Sequence, residues 1–210
     1  MLYLLNKQFM MVEVTIAFIT GVISPITLLL IKNWLDKRKD KKDPITETLL
    51  LGEQVTHKID EIREGVKADR VWVTQFHNGG HFYPTGKSIA KFSIIYESVS
   101  LNVNSIQHSL QNVPVNIFSR ALNRLVSNET IEIPNFKDVT VATFGLKDIA
   151  DANGCKSGYL FAIKTIDDRF IGVLGIDYTK KITTLDNDAI NNIMIQVSSL
   201  GGVLMNHLKG

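Results

Sequence analysis

The sequence predicts an α+β protein, in which helices flank a β-sheet, preceded by one N-terminal transmembrane helix. The first observation is an apolar hairpin: residues 159–166 and 170–176 are rich in aromatic and β-branched side chains, which suit strands. The second is an uncharged segment near the N-terminus, and the third is a pair of helical apolar stripes. Asp167, Asp168 and Arg169 interrupt the apolar run where a turn is needed.

The hairpin needs partners on both faces. A two-stranded unit this apolar is not stable alone in water, so further strands and helices have to cover it. Gly172 and Gly175 remove two side chains from the second strand, which predicts that another group packs closely there.

The N-terminal segment has the properties of a single membrane span. Residues 14–31 contain no charged side chain, and 18 residues are near the lower limit for crossing a bilayer core of about 30 Å. Residues 32–43 hold six Lys or Arg and three Asp, so the positive-inside rule places the N-terminus outside and the rest in the cytoplasm. Trp34 suits an interfacial anchor, and the lysines suit anionic lipid head groups.

A cleaved signal peptide and a buried helix are the two alternatives to a membrane span for this segment. A signal peptide carries its basic residues before the apolar run and a small-residue cleavage site after it. Here the basic cluster follows the run, and no such cleavage pattern is present. We therefore expect three parts: an anchor (1–31), a basic linker (32–44) and a folded domain (45–210) in an inner membrane protein.

A helix is predicted over residues 45–66, because apolar residues recur there every three or four positions: Leu51, Val55, Ile59, Ile62 and Val66. This stripe suits either the domain's own sheet or a parallel coiled coil between two copies. The second alternative, together with the last helix (184–208), predicts a homodimer.

Between these helices the pattern alternates between strands and short helices. Strands are predicted at 70–77, ended by the turn residues 78–80, at 88–98 and at 130–133. Helices are predicted at 115–126 and 144–152.

This order of elements resembles a GAF domain over residues 45–208. The most specific match is the segment CKSGYL followed by RFIGVLGIDY, residues 155–160 and 169–178, before a final helix opened by Thr183 and Asp186. The resemblance implies an antiparallel sheet with helices on both faces, and a module that binds a small molecule or dimerises. The cyclic-nucleotide motif of this family is absent, and Cys155 does not stand beside a His in a helix as a bilin-attaching cysteine does. The resemblance therefore leaves any cofactor unidentified.

The candidate ligand-binding residues lie around the first two strands. Turn glycines expose backbone N–H groups, and we expect one concave surface formed by eight residues: His77, Asn78, His81, Tyr83, Lys91, Ser93, Tyr96 and Glu97. The alternatives are solvated histidines beside a tight turn and a wet strand face. Strand alternation places Tyr96 opposite Lys91 and Ser93, unless a bulge intervenes. No metal site is expected, because His77 and His81 have no carboxylate or thiol close in sequence.

The motifs and the net charge of the sequence limit the classes of function to consider. The sequence contains no nucleophile elbow, P-loop or zinc-protease motif, so no catalytic residue is predicted. A net charge of +2 does not indicate nucleic-acid binding. The first hypothesis is a membrane-anchored cytoplasmic signalling module that binds a small molecule. The second is a dimerising interaction or scaffold protein without a ligand, and a hydrolase comes third.

The topology is tested by a reporter fused after Gly210, which we expect to be active only in the cytoplasm. Replacing the six basic residues of 32–43 by neutral ones should weaken this orientation, because the positive charge sets it. Reporter activity on the outer side of the membrane would contradict the prediction.

Overall fold

The computed structural model describes residues 10–14, 16–38, 43–82 and 84–208. The chain divides into two units, Met1–Thr46 and Glu47–Gly210. The first contains the 26-residue helix Met10–Leu35, in which an 18-residue window has a mean hydropathy of 2.3 and no buried residue. It includes a π-helical turn at Ile19–Ile23 and continues as α1 (Ser24–Arg38). By length and composition this helix is able to cross a membrane.

The second unit is built on a six-stranded sheet in which every strand pair is antiparallel. The strands follow the order β3-β2-β1-β6-β5-β4. Their bounds are β1 Arg70–His81, β2 Ser88–Val99, β3 Val113–Pro114, β4 Ile131–Ile133, β5 Ser157–Lys164 and β6 Phe170–Tyr178. The helices are α2 Pro44–Gly65, α3 Ser119–Val126, α4 Lys147–Ala152 and α5 Asn187–Leu208. The predicted α+β fold class is confirmed.

Two long helices, α2 and α5, cover one face of the sheet. The α2 stripe is buried there, with Val55 and Ile59 fully inaccessible, and it packs with Val71 and Val73 of β1. On α5, Ile193, Val197, Leu200 and Leu204 join the same core. Of the two alternatives for the α2 stripe, the structure therefore shows packing on the domain's own sheet.

The other face of the sheet carries a second apolar core. The alternate β1 residues Trp72 and Phe76 lie on this face, as does Phe92 of β2. It is covered by α3, by α4 and by the irregular chain between β4 and α4, and its buried members are Phe118, Ala121, Leu125, Ile131, Ile133, Phe136, Ala150, Cys155, Leu160 and Val173. These elements are shorter than α2 and α5, so this face has the thinner cover.

Some boundaries differ from those the sequence predicts. The strand β1 does not end at the predicted turn of residues 78–80 but continues to His81, and the turn forms between Phe82 and Lys87, whose backbones are hydrogen-bonded. The stem of Lys91 lies against Gly79 in a space that a Cβ would fill. The absence of a side chain at Gly79 therefore allows Lys91 to pack across the two strands. The helix predicted at 144–152 begins only at Lys147, because Phe144 and Gly145 have positive φ angles that interrupt a helix.

Two adjacent glycines in α5 provide a test of the packing between α5 and β5. A Cβ on Gly201 would lie 2.0 Å from the backbone oxygen of Lys164, whereas a Cβ on Gly202 would meet nothing within 4 Å. We expect Gly201→Ala to lower the free energy of unfolding by about 1–3 kcal/mol, because backbone has to move. Gly202→Ala should raise it by up to about 1 kcal/mol through helix propensity. Urea unfolding of both variants measures this, and equal effects would contradict the close approach.

Candidate functional site

A cavity of about 70 Å³ lies on the second face of the sheet. Its floor is formed by β1, β5 and β6, and its walls by α3, α4 and the segment between β2 and β3. The apolar lining includes Trp72, Phe92, Ile106, Leu110, Phe118, Ala121, Leu122, Leu125, Ile133, Phe136, Leu146, Ile149, Leu160 and Val173. Arg70, Asp177, Cys155 and Thr74 supply polar side chains to the lining.

The polar end of the cavity is organised by a buried guanidinium. The side chain of Arg70 is 1% exposed, and its Nε donates a hydrogen bond of 2.8 Å to Oδ2 of Asp177 on the neighbouring strand. Its Nη1 donates to the backbone oxygen of Asn104 at 2.9 Å. A buried charge is stable only when it is paired and hydrogen-bonded, and the adjacency of β1 and β6 provides this pairing.

Asp177 has further partners. The indole Nε1 of Trp72 donates to Asp177 Oδ2 at 3.0 Å. The ring of Trp72 lies directly over Gly175, where a Cβ would be 2.1 Å from the ring carbons. The sequence-based prediction of close packing on β6 is therefore confirmed, and the absent side chain at Gly175 allows Trp72 to reach the carboxylate.

A second carboxylate, Glu97, connects this cluster to the chain that follows β2. Its side chain is 3% exposed, with Oε1 3.9 Å from Nε of Arg70. The same oxygen accepts a hydrogen bond of 2.9 Å from the backbone N–H of Ile106, and Oε2 accepts hydrogen bonds from the hydroxyl of Ser105 and the N–H of Gln107. Glu97 thus fixes the segment that contributes Ile106 to the cavity wall.

Burial changes the acid–base properties of this end of the cavity. It raises the pKa of the Asp177 carboxyl, and the guanidinium of Arg70 opposes that rise. It also raises the pKa of the Cys155 thiol to about 12, to which the charge of Asp177 contributes. The thiol lies 3.0 Å from Nη2 of Arg70, but at neutral pH it stays protonated and is a poor nucleophile.

Each polar side-chain atom that lines the cavity already has a hydrogen-bond partner within the protein. Thr74 Oγ1 donates to the backbone oxygen of Val173 and accepts from its N–H. Within residues 43–82 and 84–205, the one buried side-chain nitrogen or oxygen without a hydrogen-bond partner is Oγ1 of Thr183, which does not line the cavity. The cavity therefore presents an apolar surface and a polar end whose groups are already paired.

The structure does not bring together the seven predicted site residues that it describes. His77 and Ser93 are hydrogen-bonded, Nε2 to Oγ at 2.9 Å, and Lys91 pairs with His77 across the strands. Strand alternation places these three on the face that carries Val71 and Val73, opposite the cavity. Ligand binding by them stays a prediction, but they do not line the cavity described above.

The remaining predicted residues are divided by a β-bulge. The register of β1 and β2 shifts between Val73 and Thr74, so that Tyr96 pairs with Val73 while Ile94 pairs with Thr74. The extra residue places Tyr96 on the same face as Ser93, where it packs against the core under α2 and α5, and turns Glu97 towards Arg70. Asn78 and His81 are exposed in the hairpin, and Tyr83 lies outside the described residues.

Sequence reasoning missed Arg70, Trp72, Asp177 and Cys155 as site residues. A signal was available, because Arg70 and Asp177 each stand at the end of an apolar strand that has to be buried, and a buried charge requires a partner. Strand alternation also groups Arg70 with Trp72 and Thr74 on one face. Pairing Arg70 with Asp177 requires the strand order, which the sequence does not provide.

Comparison with solved structures identifies the fold as that of GAF domains. A far-red cyanobacteriochrome photoreceptor superposes with a TM-score of 0.61 at 12% identity, covering 90% of this chain and 100% of that one. GAF3 from Slr1393 of Synechocystis gives 0.58 at 17% identity, covering 73% and 92%. A phycocyanobilin-bound GAF domain from a cyanobacterial phytochrome gives 0.58 at 21% identity, covering 79% and 90%. No family model matches the sequence, and neither does any curated protein.

The Arg70 cluster is tested by removing its cation. Arg70→Met keeps the aliphatic stem but leaves two buried carboxylates unpaired, so the free energy of unfolding should fall by about 3–5 kcal/mol. Arg169→Met is the matched control, because Arg169 is paired with Asp167 but 80% exposed, and the loss should be below about 1 kcal/mol. Both are measured by urea unfolding. Similar losses in the two variants would contradict a structural role for the buried pair.

Proposed function

We propose that the protein is a membrane-anchored, non-catalytic GAF-like module that binds a small molecule in the cytoplasm. Residues 1–31 form the anchor, residues 32–44 the basic juxtamembrane linker and residues 45–210 the binding domain. The ligand occupies the cavity between the sheet and helices α3 and α4. The observation that carries the proposal is this cavity itself, with its apolar lining around a buried ionic cluster.

The lining has the composition of a binding site. Small-molecule sites are concave and mainly apolar, with a few fixed polar groups. Here aromatic and aliphatic side chains surround the space, while Arg70, Asp177 and Trp72 are held in fixed positions by mutual hydrogen bonds. The cavity lies on the face of the sheet that the shorter helices cover. A ligand can therefore enter by moving short helices and irregular chain, without moving α2 or α5.

The chemistry of the described side chains favours binding over catalysis. The thiol of Cys155 has a pKa raised to about 12 by burial, so it is not an activated nucleophile. The hydrogen-bonded pair His77 and Ser93 resembles a nucleophile and its base, but the base of a catalytic triad is usually oriented by a carboxylate or a side-chain amide. The Nδ1 of His77 instead lies 3.4 Å from the backbone oxygen of Asn78.

The membrane location is supported by the N-terminal helix and the charge that follows it. The helix Met10–Leu35 is long and apolar enough to span a bilayer. The basic residues of 32–43 favour the cytoplasmic side for all that follows. The GAF photoreceptor structures that share the fold are consistent with a sensory module.

Binding is tested by thermal unfolding of the full chain in lipid nanodiscs against a library of nucleotides, amino acids, tetrapyrroles and small neutral molecules. A cavity ligand at 100 times its Kd should add about 2.7 kcal/mol to stability. The control is Ala121→Leu, because Ala121 is buried in the cavity wall and three added carbon atoms fill the space. A library without any stabilising compound, or with compounds that stabilise both proteins equally, would overturn the proposal.

A second candidate function is association of two copies, and exposed apolar side chains favour it. Leu50 on α2 and Ile195 on α5 are exposed although both are large and apolar. Ile195 also lines a surface groove with Lys58 and Glu61 of α2. The apolar stripe of α2 is buried against the domain's own sheet. A homodimer would therefore have to form through this outer surface.

Association is tested by analytical ultracentrifugation of the full chain in detergent. We expect a dimer, converted to a monomer by Ile195→Lys, because the added charge would be buried in the contact without a dedicated partner. Leu101→Lys is the matched control, since Leu101 is 88% exposed but lies in the loop after β2. A monomeric wild-type chain, or a dimer insensitive to Ile195→Lys, would count against this interface.

A further inference from the structure

We infer that the cavity binds a small, uncharged and mainly apolar molecule, no larger than a single ring. This inference rests on the proposed binding function and specifies its ligand class. Three independent features carry it: the cavity volume, the hydrogen bonds that its polar side-chain atoms already make within the protein, and the charge of its polar end.

The volume limits the size of the ligand. The cavity measures about 70 Å³, whereas an engineered cavity of about 150 Å³ binds benzene. A molecule of a few non-hydrogen atoms fits directly. Leu122 and Leu146 line the cavity and are only half-buried, so small rotations of these two side chains make room for one ring. A four-ring tetrapyrrole would require the separation of α3 from the sheet.

The hydrogen bonding of the lining excludes a strongly polar ligand. Nε and Nη2 of Arg70 are directed at Asp177, Nη1 at Asn104 and Nη2 also at Cys155. Thr74 is satisfied by the backbone of Val173. A ligand with several donors and acceptors would lose its hydrogen bonds to water without regaining them here, and each unpaired group costs about 1–3 kcal/mol.

The charge of the polar end excludes an anion. Arg70 faces two carboxylates, Asp177 at 2.8 Å and Glu97 at 3.9 Å. A ligand carboxylate or phosphate could reach the guanidinium only by replacing Asp177, which would then be buried without its cation. A neutral molecule leaves these pairs intact and gains free energy from contact with Trp72 and Phe118 in the apolar lining.

The inference is tested with two probes of the same ring size, benzene and benzoate, on the full chain in lipid nanodiscs. Thermal unfolding is followed by circular dichroism. Near 100 times its Kd, benzene should raise Tm by about 5 °C or more, and benzoate should leave Tm unchanged. Ala121→Leu should abolish the benzene response. Any change in Tm that remains in this variant measures the effect of benzene dissolved in the lipid. Leu122→Ala enlarges the cavity and should increase the response, so the test holds even if Ala121→Leu does not fold.

The outcomes separate the ligand class from the binding function. Stabilisation by benzoate equal to that by benzene would overturn the inference, as would no benzene response in both the wild type and Leu122→Ala. If a larger or charged library compound stabilises the wild type but not Ala121→Leu, binding in the cavity stands and the ligand class is wrong. If no compound of either set stabilises the protein, the proposed function fails with the inference.

Discussion

The buried guanidinium of Arg70 is the group on which the arrangement of the cavity depends. A charge with 1% exposure is tolerated only when its partners are buried with it. Those partners come from three places in the chain: Asp177 on β6, Glu97 on β2 and the backbone of Asn104 between β2 and β3. One side chain therefore joins three adjacent strands to the segment that forms one cavity wall.

The two faces of the sheet differ because different lengths of helix cover them. The 22-residue helices α2 and α5 fill the first face, and α5 approaches so closely that Gly201 cannot carry a side chain. On the second face, α3 has eight residues and α4 has six, and irregular chain supplies the rest of the cover. Short elements cannot follow the whole sheet, which leaves the cavity where the ionic cluster meets the apolar core.

The sequence predicts the fold better than the site, and the reason is physical. Residue periodicity identifies the hairpin, the α2 stripe and the last helix, because apolar burial determines all three. The position of the bulge beside Val73 could not be predicted, because residue composition does not reveal one extra residue in a strand. It moves Tyr96 to the face of Lys91 and Ser93, as the predicted concave surface requires, but it moves Glu97 to the opposite face. The pairing of Arg70 with Asp177 depends on β1 lying beside β6, a long-range fact that local patterns do not contain.

The location of the ligand is tested most directly by fluorine NMR of the full chain in nanodiscs with 5-fluorotryptophan. The chain has two tryptophans, Trp72 in the cavity floor and Trp34 in the N-terminal helix. Benzene in the cavity should shift the Trp72 resonance in the wild type but not in Ala121→Leu, while Trp34 serves as a reference resonance outside the cavity. An unchanged Trp72 resonance at a benzene concentration that stabilises the protein would place the ligand elsewhere and contradict binding in the cavity beside Arg70.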